Sequence, residues 1–217
     1  KMNGQDEVKE SELHMEYLEE KQMEAMWGSE SFVTYFQAVE EAVRSTAGEV
    51  ITYDGKLIEP LFHRASTGMT RTGDESHPYL QAVASKRDVE AEGYLTMMTW
   101  SKEDFAGRIN QIADSVPVDA GQLPQSIQII VRDDGGYVGQ IQIGTKVYTG
   151  EEVQYALGLP SPSYTLEEYD GGIRAVCQGV GHGYGLSQYG AKCMAEEGKT
   201  AEEILGFFYK NIVLISE

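Results

Sequence analysis

Apolar and polar positions change their period several times along the 217 residues. Residues 11 to 27 set Leu13, Tyr17, Leu18 and Met26 near helical spacing among Glu and Lys, which predicts an amphipathic helix ended by Gly28. Ser31 is a suitable cap for a second helix over 32 to 47, with Phe32, Tyr35, Phe36, Val39 and Val43 on one face and Gly48 as its stop. The period then shortens. Val50 to Tyr53, the turn Asp54-Gly55 and Leu57 to His63 read as a hairpin. Tyr79 to Ala84 and Thr96 to Trp100 read as strands. Ser101 with Asp104 opens a helix to about Ala113, and Thr149 with Glu152 forms a capping box for a short one ending near Gly158. Between them, Ser126 to Arg132 and Tyr137 to Ile143 flank Asp133-Asp134-Gly135-Gly136 as the clearest hairpin. Ile173 to Cys177 is a strand and 187 to 197 a helix closed by Gly198. Thr200 with Glu203 caps a last helix to about Tyr209, before the apolar, β-branched run Ile212 to Ile215.

Helices and hairpins mixed in this way, without regular strand–helix–strand alternation, predict an α+β fold. The expected organisation is one domain with a smaller subdomain, the weak boundary lying in the Pro-containing loop 114 to 125. Trp27 and Trp100, at element ends, are expected in the core. With 41% hydrophobic and 24% charged residues the composition is that of an ordinary globular chain. The formal net charge of −18 repels phosphate backbones and disfavours nucleic acid as a partner. No stretch reaches the length of apolar residues needed to cross a membrane. No export signal is visible, yet a chain starting at Lys1 says little about compartment. Cys177 and Cys193 are open to two readings, a disulfide or two free, partly buried thiols.

Two segments resist any period. Phe62-His63-Arg64-Ala65-Ser66-Thr67-Gly68-Met69-Thr70 is rich in hydroxyls. Gly179-Val180-Gly181-His182-Gly183-Tyr184-Gly185-Leu186-Ser187-Gln188-Tyr189-Gly190-Ala191 alternates glycine with polar and aromatic residues. Glycine buries little and loses much conformational entropy, so such a run suits a loop that presents side chains to a ligand. Each segment sets a histidine beside hydroxyls. Facing each other, they would line a cleft whose donors and acceptors suit a carbohydrate.

These two motifs resemble those of the stage II sporulation protein D family. Trp27-Gly28, Thr46 to Thr52, Pro78-Tyr79-Leu80 and the closing Gly198 to Tyr209 agree as well, and the resemblance is weakest over 86 to 160. It implies a peptidoglycan lytic transglycosylase acting during engulfment. Such an enzyme cuts between N-acetylmuramic acid and N-acetylglucosamine and leaves a 1,6-anhydro end. The expected partners are peptide-stripped glycan strands and other cell-wall hydrolases. The expected location is extracytoplasmic, with a membrane anchor in an N-terminal segment outside this sequence.

The chemistry needs a carboxylic acid of raised pKa to protonate the leaving oxygen. In the family that glutamate lies in an alanine-glutamate-methionine-proline segment, and no Glu-Met-Pro occurs here. No general acid is carried over. The chain is expected to be a fragment lacking that segment and inactive alone; the alternative is a non-catalytic glycan-binding or scaffold module. Some members hold zinc through histidine and cysteine in the region matching 1 to 18. Only His14 stands there, so neither metal nor cofactor is expected.

The expected saccharide-contacting set is His63, Ser66, Thr67, Gly68, Thr70, His182, Gly183, Tyr184, Ser187, Gln188 and Tyr189, with Arg71 and His77 as weaker members. Each has a bland counterpart. His63 follows a strand run and suits a buried, satisfied histidine, and Gly68 suits backbone conformation alone. His182 suits loop fixation, Ser187 an N-cap, Tyr184 and Tyr189 the core. A serine hydrolase built from Ser66 or Ser187 with His63 or His182 is disfavoured, since Ser187 sits in Gly-Leu-Ser-Gln-Tyr rather than a Gly-x-Ser-x-Gly elbow.

Overall fold

The structure, a computed structural model, describes residues 18–216. The expected helix over 11 to 27 is seen as α1 (Glu20–Trp27); its part before residue 18, with Leu13, His14 and Tyr17, lies outside the described residues. Gly28 follows with a φ of 76° and α2 (Ser29–Ser45) begins at once. The expected Ser31 cap is therefore wrong: Gly28 holds that place, and its carbonyl accepts from the Ser31 and Phe32 amides. Trp27 is not core either. Its ring packs against Phe32 and Tyr35, and no residue of α1 or α2 is buried.

Val50 to Ile215 forms a compact unit of its own. It opens with the hairpin of β1 (Glu49–Tyr53) and β2 (Lys56–Leu57), in which Thr52 pairs with Leu57 across Asp54-Gly55. The expected second strand does not continue to His63. β3 (Phe62–His63) separates from it and pairs in parallel far along the chain. Residues 79 to 84 are not a strand. Only Ala84 bridges, to Met69, while Tyr79 and Leu80 turn inward to the core.

β4 (Leu95–Trp100) follows as expected, and α3 (Lys102–Ile109) is capped by Ser101, whose hydroxyl accepts from the Asp104 amide at 3.0 Å. β5 (Ile127–Arg132), β6 (Val138–Ile143) and β7 (Lys146–Thr149) make an antiparallel sheet. α4 (Gly150–Leu157) carries the Thr149/Glu152 capping box and stops at Gly158 in the left-handed region. β8 (Tyr164–Tyr169), absent from the periodicity reading, and β9 (Gly172–Gln178) complete a second antiparallel sheet in the order β4-β9-β8. The glycine-rich loop then leads into β10 (Leu186–Ser187), α5 (Gln188–Glu196), α6 (Ala201–Phe208) and β11 (Ile212–Ser216), the last pairing with β1. The α+β class holds.

Two apolar clusters sustain this unit. The larger gathers Phe105, Ile109, Leu123, Ile141, Val153, Leu157, Ile173 and Trp100 between α3, α4 and the sheets β5-β6-β7 and β4-β9-β8. Leu123 is fully buried in it, so the 114 to 125 loop is packed into this core. The smaller gathers Tyr79, Leu80, Val83, Ile204, Phe208 and Tyr209. Both cysteines are free and buried; the Cys177 thiol donates to the Ser161 carbonyl at 3.3 Å.

Candidate functional site

The two aperiodic segments lie together and share their backbone hydrogen bonds. In the parallel pair β3/β10, Phe62 stands opposite Leu186 and His63 opposite Ser187. Beyond it, the Ala65 and Val180 amides exchange bonds with each other's carbonyls at 3.1 and 2.8 Å. The Tyr189 amide donates to Arg64 at 3.0 Å and the Arg71 amide to Gly183 at 2.8 Å. Such interleaving needs close backbone approach, and Gly179, Gly181, Gly183 and Gly185 all have φ between 70° and 101°. At Gly183 the reason is plain: a Cβ would overlap the phenol ring of Tyr137.

Strand alternation decides which side chains face out. His63, Ser66, Thr70 and Ser187 are all buried. The Ser66 amide and hydroxyl both donate to one oxygen of Asp88, at 2.7 and 2.5 Å, and the Ser85 hydroxyl donates to the other at 2.8 Å. Asp88 itself is fully buried. Ser66 also accepts from the Gly68 amide, so its one donor and one of its two lone pairs are engaged inside the protein. The Thr70 hydroxyl accepts from the Val83 amide, and Ser187 caps α5 by accepting from Gly190 at 3.1 Å. Ser66, Thr70, Ser187 and His63 support the loop pair: all four are buried, and the three hydroxyls and Nδ1 of His63 bond within the protein. Gly68 and Gly183 supply backbone geometry. The aperiodic segment gave no hint of Asp88. Its one signal is Ser85 three residues ahead, a spacing at which a hydroxyl and a carboxylate meet across a turn.

The peptide of Tyr184 joins the two histidines. The Nδ1–H of His63 donates to the Tyr184 carbonyl at 3.0 Å, and the Tyr184 amide donates to Nδ1 of His182 at 3.0 Å. Those roles place the His63 proton on Nδ1 and leave Nδ1 of His182 bare. Burial pushes His63 down to about 4, the nearby His182 adding to the effect. His182 is lowered as well, chiefly by burial, against the pull of the Phe62 carbonyl and the Glu151 carboxylate. Both rings are neutral at pH 7. Nε2 of His63 is buried without a hydrogen-bond partner.

Arg71 anchors the other side. Its guanidinium reaches Asp133 at 2.8 Å and Glu151 at 3.0 Å, and lies 4.4 Å from the ring centre of Tyr184 and 5.1 Å from that of Tyr137. His182 stacks on Tyr184 at 5.8 Å. Tyr184 is thus engaged by protein partners. The Thr67 hydroxyl donates to Gly135 at 2.6 Å, and its amide donates to the Tyr137 hydroxyl. His77 pairs instead with Asp74 and Glu59. Of the expected set, Gln188 is exposed, while Thr67, His182, Tyr184 and Tyr189 are half-buried.

These features have relatives among known proteins. The chain is 30% identical over 210 residues to stage II sporulation protein D of Bacillus amyloliquefaciens, covering 94% of this chain and 58% of that protein. It is 29% identical over 210 residues to stage II sporulation protein D of Bacillus subtilis (strain 168), with the same shares covered. Along nearly its whole length the chain is similar to stage II sporulation protein D. It spans about 58% of the length of those two relatives. An amidase enhancer of Bacillus subtilis (strain 168) is 25% identical over 228 residues, covering 81% of this chain and 32% of that protein. No family model matches the chain. In this chain the residues of the two loops divide into a buried hydrogen-bonded frame and a small accessible face.

Proposed function

We propose that this chain holds peptide-stripped peptidoglycan glycan strands for lytic transglycosylase cleavage during sporulation. That reaction opens the bond between N-acetylmuramic acid and N-acetylglucosamine and leaves a 1,6-anhydro end. The similarity to stage II sporulation protein D and the likeness to an amidase enhancer support a role at the cell wall in sporulation. Such strands lie outside the cytoplasm, and that is where the proposal puts the protein. The observation that carries the reading is the interleaving of the two loops, which brings Thr67, His182, Gln188 and Tyr189 onto one locally rigid frame. Rigid placement of a few convergent polar groups is what a neutral, hydroxyl-rich ligand requires.

We assign these residues binding rather than bond cleavage. Protonating the leaving oxygen needs an accessible carboxylic acid kept neutral near pH 7. Asp88 is sealed in and holds three donors, while Asp133 and Glu151 are both taken up by the Arg71 guanidinium. The likeness to an amidase enhancer favours a second reading, a scaffold that assists another wall hydrolase.

Peptide-free glycan strands incubated with the chain should co-sediment with it and yield no anhydro-muramyl ends by mass spectrometry. Failure to bind any glycan overturns the reading. Release of anhydro ends overturns the assignment of binding without cleavage. Binding lost on glycan but retained on a purified wall amidase selects the scaffold.

A further inference from the structure

The glycan reading leaves open which side chain a sugar ring would rest on, and the buried and exposed positions of β3 answer it. This inference rests on that reading. Along Phe62-His63-Arg64-Ala65 exposure alternates, with His63 and Ala65 inside and Phe62 and Arg64 outside. Paired residues of neighbouring strands share a side. Ser187, opposite His63, is inside, and Leu186, opposite Phe62, lies on the outward side as a half-buried apolar neighbour. Phe62 is 52% exposed. Arg64 is exposed too, its guanidinium 3.6 Å from a Glu92 side chain that is itself 94% exposed. Its carbonyl takes the Tyr189 amide, which ties it to the start of α5, where Gln188 is exposed.

We propose that Phe62 is the aromatic platform of the glycan site, with Arg64 and Gln188 as the polar groups that orient the sugar laid on it. A pyranose ring offers a face of C–H groups and an edge of hydroxyl, acetamido and ring oxygens. The C–H face rests on an aromatic ring, and the edge takes hydrogen bonds from groups beside that ring. The guanidinium donates only, and the Gln188 amide both donates and accepts, so together they match hydroxyl and acetamido groups. The other aromatics of the two loops serve less well. Tyr184 is already engaged by Arg71 and His182, and Tyr189 is half-buried with the Lys192 ammonium 5.5 Å from its ring. A single exposed phenylalanine means little by itself. Here it stands on the outward side of the strand pair that joins both loops, with the exposed Arg64 two residues along the same strand and the exposed Gln188 two residues beyond its partner Leu186.

The test is titration calorimetry of peptide-free muramyl glycan oligomers against the wild-type chain, Phe62→Ala and Phe62→Trp. Truncating an exposed ring leaves the melting temperature unchanged, and Phe62→Ala should weaken binding about tenfold, the scale of one lost aromatic contact. Phe62→Trp should keep binding, and its added fluorescence should shift on glycan addition in a way the wild-type Trp27 and Trp100 do not. Equal binding by wild type and Phe62→Ala overturns the platform and leaves the glycan reading standing. No binding by the wild type overturns the glycan reading, and the platform with it. Where Phe62→Ala also melts early, Phe62→Trp decides: retained binding with a shifted emission supports the platform, and a silent emission overturns it.

Discussion

The two loops that meet at the site are alike in composition and opposite in use. In Phe62 to Thr70 two of the three hydroxyls and the imidazole turn inward: Ser66, Thr70 and His63 are buried, and Thr67 stays half-buried. In Gly179 to Tyr189 the glycines take the inward positions, leaving His182, Tyr184 and Tyr189 half-buried, with Gln188 exposed just beyond Ser187. Hydroxyl-rich sequence is therefore no sign of a ligand-facing surface. What decides is which residues the pairing turns inward, and whether small residues are there to be turned in. The first loop spends its polarity on Asp88, through Ser66, and on backbone groups, through Thr67, Thr70 and His63, and the second uses glycine to bring its backbone against the first.

The sharpest way to break this contrast is to add bulk to the second loop. Gly183→Ala forces a methyl group into the Tyr137 phenol at a φ of 84°, which an L side chain rarely adopts. Overpacking and backbone strain together should cost about 4 kcal/mol. Chemical denaturation measures it, and a loss under about 1 kcal/mol would show that the loops can part without penalty.

Removing the anchor of the first loop should cost slightly less. Asp88→Ala leaves the Ser66 amide and hydroxyl and the Ser85 hydroxyl without their acceptor inside the protein. Orphaned buried donors should lower stability by about 3 kcal/mol, while Asp88→Asn, which keeps an acceptor, should lose about half of that. Equal losses in the two variants would mean that both carboxylate oxygens are needed as acceptors and that a side chain of the same shape with one acceptor gives no support.

Much of this frame is written in local signals, and the rest is not. The caps at Ser101, Thr149 and Thr200 act within four residues, so the sequence shows them directly. The Asp133 to Gly136 hairpin is equally local, and register follows from its turn. The pairing of β3 with β10 spans more than a hundred residues, and two-residue strands carry no period to reveal it. That pairing sets the inward and outward sides, which is why His63 and Ser66 read as sugar contacts and Phe62 did not. β8 was missed because Glu167 and Glu168 interrupt its apolar pattern; the Glu167 carboxylate is held across the sheet by Arg174. In α1 and α2 the period was correct for helix, yet Val33, Tyr35, Val39 and Val43 are all exposed. Periodicity reports the element and leaves open what, if anything, covers its apolar face.

The histidines offer a test by pH. His63 is neutral and buried, with its pKa lowered to about 4 from an unfolded value of 6.5. Between those values the unfolded chain binds the proton and the folded one does not, so stability falls as the pH drops from 6.5 towards 4. It levels off below that window. The accumulated loss from His63 should be about 3 kcal/mol. The lowered pKa of His182 adds in the same direction. His63→Gln should flatten the profile, measured by urea unfolding across the window. A slope unchanged by that substitution would assign the acid sensitivity to other groups.

The smallest effect separates a cap from a contact. Ser187 is fully buried and its hydroxyl accepts from the Gly190 amide at the first turn of α5. Ser187→Ala removes that acceptor and should lower stability by about 1 kcal/mol, the usual cost of a lost N-cap. Ser187→Thr or Ser187→Asp restores an acceptor, though the added bulk lies in a buried position, so threonine is the better rescue. Glycan affinity should not follow this series, because no polar atom of Ser187 reaches the accessible face. Gln188, its exposed neighbour, should show the reverse: Gln188→Ala leaves the melting temperature in place and weakens glycan binding. If Ser187→Ala weakened binding at unchanged stability while Gln188→Ala did neither, the inward and outward sides of the second loop would have to be exchanged.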